Sequence, residues 1–470
     1  MWKIKKIFQS KLVQAGGWYT VTEFFLKGIT FLAIPIFTRI LTPSDYGLQS
    51  IYSTWANILS IVCCLNLNSS IAKAKFDYED DFDNYVSSIT FFSLILFIFF
   101  LFLMVLLKRF FSPLFGFSGF FYYLLLFYAF FTFISNMVLA KLRVLYRYKG
   151  LSLLNISIKL LGLASSIILI RTVFYDKGYA GKIVGESIFV IFFGIFFLIF
   201  LLRDGKKLVN FKYWKYAISF SLPLVFHSLA NVINNQFDRI IIKRFTGAYQ
   251  TGLYSFAYSF GMAIFVIIHA LDLAWSPWVF EHLKSKNHKK IINFSYLYRD
   301  IINISLVSIM FLAPEVIKFM APEKYWGALI VIPWILLGYY FNFVYTLEVK
   351  IELFHRKTII VSIGTVMSAT LNIVLNYIFV PQYGYYAAAI TTTFSYLALF
   401  FFHYLMVVFV IKKKLYSFKF HFQSILYGFV VTLIYYLSDD KIFVRFVFLL
   451  LILLYNFFNL FNNYKKIQKQ

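Results

Sequence analysis

Residues 85–107 read YVSSITFFSLILFIFFLFLMVLL, an apolar run without a single charged side chain. Coiled as an α-helix, which rises about 1.5 Å per residue, a run of this length crosses a hydrocarbon core about 30 Å thick. Similar runs recur along the chain, at about residues 15–38, 48–66, 119–140, 151–171, 180–202, 216–240, 249–272, 296–317, 327–348, 358–379, 386–410, 420–437 and 442–461. The chain is therefore predicted to be an all-α, polytopic membrane protein with about fourteen transmembrane helices.

The composition leads to the same prediction. Of the 470 residues, 61% are hydrophobic and 14% are charged, whereas soluble domains are about half apolar and about a quarter charged. The net charge of +25 arises mainly in the segments between apolar runs, so we expect contact with lipid head groups and not with nucleic acid. Cys63 and Cys64 are adjacent within one run, which predicts neither a disulfide framework nor a metal site. No cofactor is predicted.

Basic residues are distributed unevenly between alternate loops. The segments on the side of the N-terminus hold 30 Lys and Arg residues, and the segments on the other side hold 11. The positive-inside rule therefore predicts that both termini are cytoplasmic and that the number of spans is even. Because the loops are too short to hold a soluble catalytic domain, the chain is not predicted to be an enzyme.

Three short motifs occur twice, in the same order and 205 to 208 residues apart. The pairs are Arg39–Leu48 with Arg244–Leu253, Leu145–Lys149 with Leu353–Lys357, and Gly178–Gly181 with Gly384–Ala388. An offset of an even number of helices gives both halves the same orientation, which is typical of parallel repeats. We therefore expect an N-terminal six-helix lobe over residues 1–205, a C-terminal six-helix lobe over 206–412 and two accessory transmembrane helices over 413–470.

The second half also carries a series of motifs built on Gly, Pro and aromatic residues. They are Asp238-Arg239, Gly252-Leu253-Tyr254, Ala274-Trp275-Ser276-Pro277-Trp278, Ala313-Pro314-Glu315, Tyr325-Trp326-Gly327-Ala328, Asn372-Ile373-Val374-Leu375-Asn376 and the segment 381–391. Together with the segment 39–47, these motifs make the chain resemble the bacterial polysaccharide repeat-unit flippases. That family belongs to the multidrug/oligosaccharidyl-lipid/polysaccharide (MOP) exporter superfamily.

The resemblance implies two lobes around a central cavity in the bacterial inner (plasma) membrane. It implies movement of an oligosaccharide on an undecaprenyl-pyrophosphate carrier from the cytoplasmic to the periplasmic leaflet, for O-antigen or capsule synthesis. Its partners would be this substrate and membrane lipids, with a polysaccharide polymerase and a chain-length regulator as further candidates. Two alternatives stay open. A multidrug–cation antiporter of the same superfamily is disfavoured by the two extra C-terminal helices, and a polysaccharide polymerase by the short external loops.

Two lysines lie deep in predicted spans, where an unneeded charge costs about 2.5–3.5 kcal/mol. Lys27 follows Glu23 at i,i+4 spacing in the first helix, and Lys159 lies near the centre of the fifth. We predict that Lys27 and Lys159 bind the pyrophosphate and that Glu23 takes part in ion coupling. The alternatives are a self-neutralised pair of Glu23 with Lys27, and a structural salt bridge from Lys159 to Glu186.

The seventh predicted helix is unusually polar. At regular helical spacing His227, Asn231, Asn234, Asn235 and Asp238 share one face, and a polar face of this kind cannot point into lipid. We predict that the first four of these residues bind sugar hydroxyls. Hydrogen bonding between helices is the alternative.

Several charged residues near helix ends are candidates for ion coupling or gating. Asp238, Arg239 and Asp272 resemble gate positions, at which ion pairs form in one state and break in another. Glu186, near the outer end of the sixth helix, is a further candidate for ion coupling. The alternative for Asp238, Arg239 and Asp272 is helix capping or interfacial charge.

Two other acidic features are interpreted as ordinary surface. Glu348 and Glu352 lie with Lys350 at the inner end of the tenth helix, where we expect them at the membrane interface. The acidic run of residues 77–83 lies in a predicted cytoplasmic loop and lacks the spacing of an EF-hand. It is expected to be a solvated loop.

Overall fold

The computed structural model describes residues 11–438 and 441–468, except for the side chains of residues 11–17, 19, 20, 23, 148, 149 and 151. The described part of the chain consists of α-helices with a few short 3₁₀ and π-helical segments, and it contains no β-strand. The predicted all-α fold class is therefore confirmed. By internal contacts the chain divides into two compact units, Met1–Ile240 and Ile241–Gln470.

Unit 1 contains the first nine α-helices of the described chain. They are α1 (Lys11–Ile40), α2 (Pro43–Val62), α3 (Ile71–Asp77), α4 (Phe82–Leu106), α5 (Lys108–Phe115), α6 (Phe120–Val144), α7 (Tyr148–Thr172), α8 (Gly178–Arg203) and α9 (Phe211–Val232). A 3₁₀ segment, Leu67–Ser70, precedes α3. A π-helical segment, Ile233–Phe237, joins α9 to α10 (Asp238–Thr246), which contains the boundary between the units.

Unit 2 contains the remaining helices of the described chain. They are α11 (Ala248–Lys284), α12 (His288–Met320), α13 (Ile332–Phe354), α14 (Thr358–Leu405), α15 (Phe418–Ser438) and α16 (Ile442–Gln468). A 3₁₀ segment, Glu323–Val331, leads into α13, and a π-helical segment, Met406–Ile411, ends α14. In the segment Glu323–Phe354, 72% of the most apolar stretch is buried inside the protein, more than in any other candidate span of the described chain. Side chains on α13 are therefore mostly inside the unit.

The length and composition of the described helices are those of a multi-pass membrane protein. Eleven of them are long and apolar enough to cross a membrane, or twelve if the bent pair Pro43–Val62 and Leu67–Asp77 forms one span. The longest, Thr358–Ile411, is two helices joined at Gly384, whose φ of 63° and ψ of −151° are not helical. If that segment counts as two spans, the described residues hold up to thirteen candidate spans, and the predicted count of fourteen stays a prediction.

The repeated motifs make the same contact in each unit. Asp45 forms a capping box with Thr42 at the start of α2, and its Oδ1 accepts a hydrogen bond from the Tyr179 N–H at 3.1 Å. In unit 2, Gln250 Oε1 accepts a hydrogen bond from the Tyr385 N–H at 3.2 Å. Asp45 and Gln250 are equivalent positions of the predicted repeats, as are Tyr179 and Tyr385. These contacts fit a duplication, while the predicted domain boundaries stay predictions.

Helices α7 and α8 pack with their backbones almost in contact. A Cβ atom placed on Gly185 would lie 2.5 Å from Ser166 Cα, far closer than real Cβ contacts allow. Ser166 Oγ donates to the carbonyl of Gly162 and approaches that of Lys182, at 2.6 and 3.2 Å. Small residues let two membrane helices approach in this way. The packing also brings Glu186 to this interface, since a Cβ atom placed on Gly162 would lie 3.6 Å from Glu186 Cα.

Candidate functional site

A ladder of polar side chains runs along one side of α9 and α10. Asn231 Nδ2 lies 3.1 Å from His227 Nε2, and Asn235 Nδ2 donates to the Asn231 carbonyl at 2.7 Å. Arg239 donates to the Asn235 carbonyl at 3.1 Å. Asn231 and Asn235 are exposed although they lie within the candidate span Phe211–Thr246. A polar row at this depth must face water or other polar groups, because lipid cannot satisfy its hydrogen bonds. We call these four residues the α9 ladder.

The prediction that all five polar positions share one face is wrong. Asn234 and Asp238, 6% and 1% exposed, are buried away from the ladder. The cause is the π-helical segment, whose i→i+5 hydrogen bonds insert one extra residue and rotate the next turns of the helix by about 100°. Asn235 and Arg239 therefore continue the line that regular spacing would give to Asn234 and Asp238.

The other side of this helix is bound to the rest of unit 1. Three side-chain hydrogen bonds make the connection: Ser221 with Ser69 at 3.1 Å, Ser228 with Asn66 at 3.1 Å, and Gln236 with Asn57 at 3.0 Å. Hydrogen bonding between helices, the alternative considered for the polar pattern, thus accounts for part of it. Although α9 lies in the predicted C-terminal repeat, its packing belongs to compact unit 1.

Lys159 is half-buried on α7. The considered salt bridge to Glu186 is not formed; Glu186 instead accepts a hydrogen bond from Gln49 Nε2 at 3.3 Å. No hydrogen bond or ion pair joins the Lys159 ammonium to any other side chain that the structure describes. The nearby cation Lys182 is buried, with its ammonium 4.3 Å from the ring centroid of Phe37. Lys182 lies close enough to Glu186 and, more weakly, to Lys159 for their charges to interact.

The two candidate residues of the first helix, Lys27 and Glu23, are only partly described. Lys27 is half-buried on α1. The side chain of Glu23 lies outside the described residues, so the predicted pairing of Glu23 with Lys27 stays a prediction, as does the ion-coupling role of Glu23.

Asp272 forms an ion pair within unit 2. Its Oδ2 lies 2.8 Å from Lys350 Nζ and accepts a hydrogen bond from Ser276 Oγ at 3.1 Å. Because both members of the pair are largely shielded from water, this interaction is stronger than one on the surface. The structure thus gives Asp272 a partner on α13 that the sequence could not assign, while its gating role stays a prediction.

The interpretation of Glu348 and Glu352 as interfacial residues is wrong. They are 1% and 0% exposed on α13, and each is paired with a buried histidine. His421 Nε2 lies 2.6 Å from Glu348 Oε1, and His403 Nδ1 lies 2.9 Å from both carboxylate oxygens of Glu352. We call these four residues the buried Glu–His cluster. The two glutamates lie on α13, His403 lies on α14 and His421 lies on α15. Helices α14 and α15 pack against α13 and bring the histidines to the glutamates.

The cluster keeps unused hydrogen-bonding capacity. Glu348 Oε2, His403 Nε2 and His421 Nδ1 have no hydrogen-bond partner among the described residues. Among the same residues, no group of three or more His, Cys, Asp or Glu side chains could hold a metal ion. The sequence did contain a signal, since an ionisable residue inside a span is a functional candidate by default. His403 and His421 were not singled out on that ground.

A buried amide network holds the two halves of α14 together across its bend. Asn372 Nδ2 donates to Thr392 Oγ1 at 2.9 Å, and Asn376 Nδ2 donates to Asn372 Oδ1 at 3.1 Å. Thr391 Oγ1 donates to Asn376 Oδ1 at 2.8 Å. The sequence marked the two asparagines as a family motif without a role. In the structure they stabilise the two packed halves of this helix.

The acidic run of residues 77–83 is more than a solvated loop. Its carboxylates accept hydrogen bonds from Tyr216 and Tyr213 of α9, at 2.7 and 2.8 Å. Asp83 pairs with the buried ammonium of Lys141 at 2.6 Å. Hydrogen bonds from Asn84 and Tyr213, with a smaller contribution from Lys207, lower the pKa of Asp81 below its usual range. Asp77, Glu79, Asp80 and Asp83 are exposed, as expected of a solvated loop, and the run in addition ties α9 to α4 and α6.

Comparison with known proteins places the chain in a family. A family model for polysaccharide biosynthesis proteins matches residues 12–283. The Lsg locus putative protein 1 of Haemophilus influenzae is 24% identical over 289 residues, which cover 60% of this chain and 68% of that protein.

Two solved structures share the fold. The lipid II flippase MurJ in an inward closed conformation aligns with a TM-score of 0.72 at 16% identity, over 96% of this chain and 99% of that one. An inward-facing multidrug resistance MATE family transporter of the MOP superfamily aligns with a TM-score of 0.60 at 17% identity, over 83% of this chain and 96% of that one.

The candidate spans and these likenesses together define the class: a polytopic membrane protein whose fold is shared with a lipid II flippase and a MATE family transporter. The resemblance drawn from the sequence motifs is confirmed. The chain belongs to the polysaccharide biosynthesis protein family, whose model matches more than half of its length.

Proposed function

We propose that this chain moves undecaprenyl-pyrophosphate-linked oligosaccharide repeat units from the cytoplasmic to the periplasmic leaflet, for synthesis of a surface polysaccharide. The observation that carries the proposal is the α9 ladder, in which the amides of Asn231 and Asn235 are exposed within a candidate membrane span and are joined to His227 and Arg239. Family membership supports the link to polysaccharide synthesis. The fold neighbour named as a lipid II flippase supports a lipid-linked substrate.

The ladder and the lysines of unit 1 have complementary roles in this proposal. His227, Asn231 and Asn235 offer donors and acceptors to sugar hydroxyls, whereas Asn234 is buried and makes a poorer ligand. Lys159, which Glu186 does not neutralise, faces the pyrophosphate, and Lys27 adds a second cation. The cost of holding a charge in the membrane is offset when a phosphate binds beside it.

Ion coupling and gating are assigned to the remaining charged candidates. Glu23, Glu186, Asp238 and Arg239 belong to unit 1, and Asp272 belongs to unit 2. A gating role for Asp272 requires its ion pair with Lys350 to break in another state of the transporter. Exchange of that pair between two states would couple an ion to the transport cycle.

The proposal places the chain in the bacterial inner membrane with both termini in the cytoplasm, as the charge of the loops predicts. The lipid-linked oligosaccharide and the surrounding lipids are then its direct partners. A polysaccharide polymerase and a chain-length regulator are further partners to be sought by co-purification.

The test is complementation of a deletion strain by Lys159 variants. We expect Lys159→Ala to abolish surface polysaccharide and to leave lipid-linked repeat units accumulated on the cytoplasmic leaflet, while Lys159→Arg retains part of the activity. Lys284→Ala, at an exposed position on α11, is the matched control and keeps full activity. Full activity of Lys159→Ala would remove Lys159 from the mechanism.

A deletion strain that accumulates no such intermediate but loses drug efflux would favour the antiporter, the function that the MATE-like fold allows.

A further inference from the structure

A polar pocket opens between α12, α15 and α16 of unit 2. Its volume is about 470 Å³, within the range of small-ligand sites. Asp300, Asn303 and Ser424 are buried at its base, and Arg299 and Asn459 also line it. All three helices are candidate membrane spans. None of the residues of the α9 ladder or of the buried Glu–His cluster lines this pocket.

Arg299 is the cation of the pocket, and its hydrogen-bonding capacity is incompletely used. Its guanidinium lies over the rings of Tyr296 and Phe420, at 4.9 and 5.1 Å from their centroids. One terminal nitrogen is 3.6 Å from Asp300 Oδ1, which is longer than a hydrogen bond. Its Nε has no partner among the described residues. Because a guanidinium offers five N–H donors, Arg299 has capacity for an anionic oxygen.

Asp300 and two amides complete the polar part of the pocket. Asp300 Oδ2 accepts a hydrogen bond from Asn463 Nδ2 at 2.7 Å, and a carboxylate with about four lone-pair sites can accept more. The amides of Gln423 and Asn459 line the pocket and make no hydrogen bond to another described residue. The site therefore combines a cation, an anion and neutral groups that can both donate and accept.

The residues that line the pocket change from polar near the helix ends to mainly apolar towards the middle of the spans. Gln423 and Asn463 lie near the start of α15 and the end of α16, and therefore near the same end of the two spans. Leu426, Val430 and Tyr455 lie further towards the middle of the spans. A polar end near the membrane surface and an apolar end towards the membrane centre match a lipid molecule lying in one leaflet.

We propose that this pocket binds the head group of a zwitterionic phospholipid of the phosphatidylethanolamine type. Arg299 donates to the phosphodiester oxygens, Asp300 accepts from the ammonium group, and Leu426 and Val430 contact the acyl chains. A lipid pyrophosphate fits less well, because it brings more negative charge to a site whose cation already faces a carboxylate.

Native mass spectrometry of the purified full chain tests the proposal with three added lipids: phosphatidylethanolamine, phosphatidylglycerol and diacylglycerol. We expect the chain to retain phosphatidylethanolamine best and diacylglycerol least. Arg299→Gln should weaken retention of phosphatidylethanolamine about tenfold, since a charge-assisted hydrogen bond is lost. Asp300→Asn should abolish the preference for phosphatidylethanolamine over phosphatidylglycerol while phospholipid binding persists.

Two further variants serve as controls. Lys318→Gln removes an exposed cation of α12 that lies outside the pocket, over Trp326 at 5.3 Å, and it should leave lipid retention unchanged. Arg299→Lys keeps the charge and should retain part of the binding. Equal retention of phosphatidylethanolamine and phosphatidylglycerol by the unaltered chain overturns the proposal whatever the variants do. Unchanged retention in a folded Arg299→Gln variant overturns the role of Arg299.

Discussion

At the scale of single residues, three acids of α12 and α13 in unit 2, buried or half-buried, each face a specific partner. Glu352 faces His403, Glu348 faces His421, and Glu315 is bound by Arg445. Such pairs contribute little net stability compared with apolar packing, but removing one partner leaves the other charge buried and uncompensated. Each pair therefore acts as a unit, and its members are best tested together.

Glu352→Ala should destabilise the protein strongly, by about 3 kcal/mol, because it leaves His403 buried without its acceptor. The double variant with His403→Ala should recover part of that loss, since residues in direct contact are coupled. Thermal unfolding of the purified chain in detergent measures both changes. Glu281→Ala, which removes an exposed acid on α11, is the control. Equal destabilisation by Glu352→Ala and by the control Glu281→Ala would show that the pair of Glu352 with His403 has no special role.

The acidic run of unit 1 predicts how stability depends on pH. Hydrogen bonds from Asn84 and Tyr213 hold the folded-state pKa of Asp81 below its unfolded value of about 3.9. The contribution of Asp81 is therefore present above that value and is lost as the pH falls through the folded-state pKa.

The difference in unfolding temperature between the unaltered chain and Asp81→Asn should accordingly be constant near neutral pH and shrink in acid. Asp80→Asn, at an exposed neighbouring position, should show no comparable difference at neutral pH. A difference for Asp81→Asn that grows in acid would contradict the assigned hydrogen bonds.

At the scale of helices, backbone geometry decides which side chains meet. The π-helical segment between α9 and α10 brings Asn235 and Arg239 into line with His227 and Asn231. Packing of α7 on α8 depends on glycine at the point of closest approach. Both features are local, and each can be tested by substitution within one helix.

Gly185→Ala should destabilise unit 1 by about 1–3 kcal/mol, because the new Cβ would lie 2.5 Å from the backbone of Ser166. Gly28→Ala is the matched control, since nothing lies within 4 Å of the Cβ it would add. Helix propensity alone would make that change slightly stabilising. Comparison of the unfolding temperatures of the two variants measures the difference. A Gly185→Ala variant as stable as Gly28→Ala would contradict the close packing of α7 and α8.

The α9 ladder should matter for transport and little for stability, because Asn231 and Asn235 are exposed. We expect Asn231→Leu combined with Asn235→Leu to lower transport at least tenfold, a loss of about 1.4 kcal/mol, with normal amounts of protein in the membrane. Ser305→Ala, which removes a hydroxyl bonded only within α12, is the control. Normal transport by the double variant would remove the ladder from the substrate path.

The sequence was sufficient where structure follows from hydropathy or short motifs, and insufficient where it depends on tertiary contacts. Apolar runs predicted the spans, and the repeated motifs marked the equivalent contacts of Asp45 and Gln250. The prediction from regular helical spacing was wrong at the π-helical segment, because no local sequence pattern indicates that segment. The burial of Glu348 and Glu352 depends on histidines 50 to 75 residues away in the chain, on helices whose packing the sequence does not reveal.

At the scale of the whole molecule, each unit contributes a different kind of polar chemistry within the membrane. Unit 1 presents exposed amides and a lysine that its neighbouring acid does not neutralise, which suit sugars and phosphate. Unit 2 holds buried Glu–His pairs and a separate polar pocket. The fold is shared with the MurJ flippase and with a MATE family transporter of the MOP superfamily, and the proposed substrate would give the polar groups of unit 1 a common role.

The most direct test is a flipping assay with the purified chain in liposomes. A fluorescent undecaprenyl-pyrophosphate oligosaccharide is placed in both leaflets, and a membrane-impermeant reagent that destroys the label is added outside. We predict that the unaltered chain exposes nearly all of the label, whereas Lys159→Ala leaves about half protected, as in liposomes without protein. Protection of half the label by the unaltered chain, under conditions in which it is folded and inserted, would contradict the proposed function.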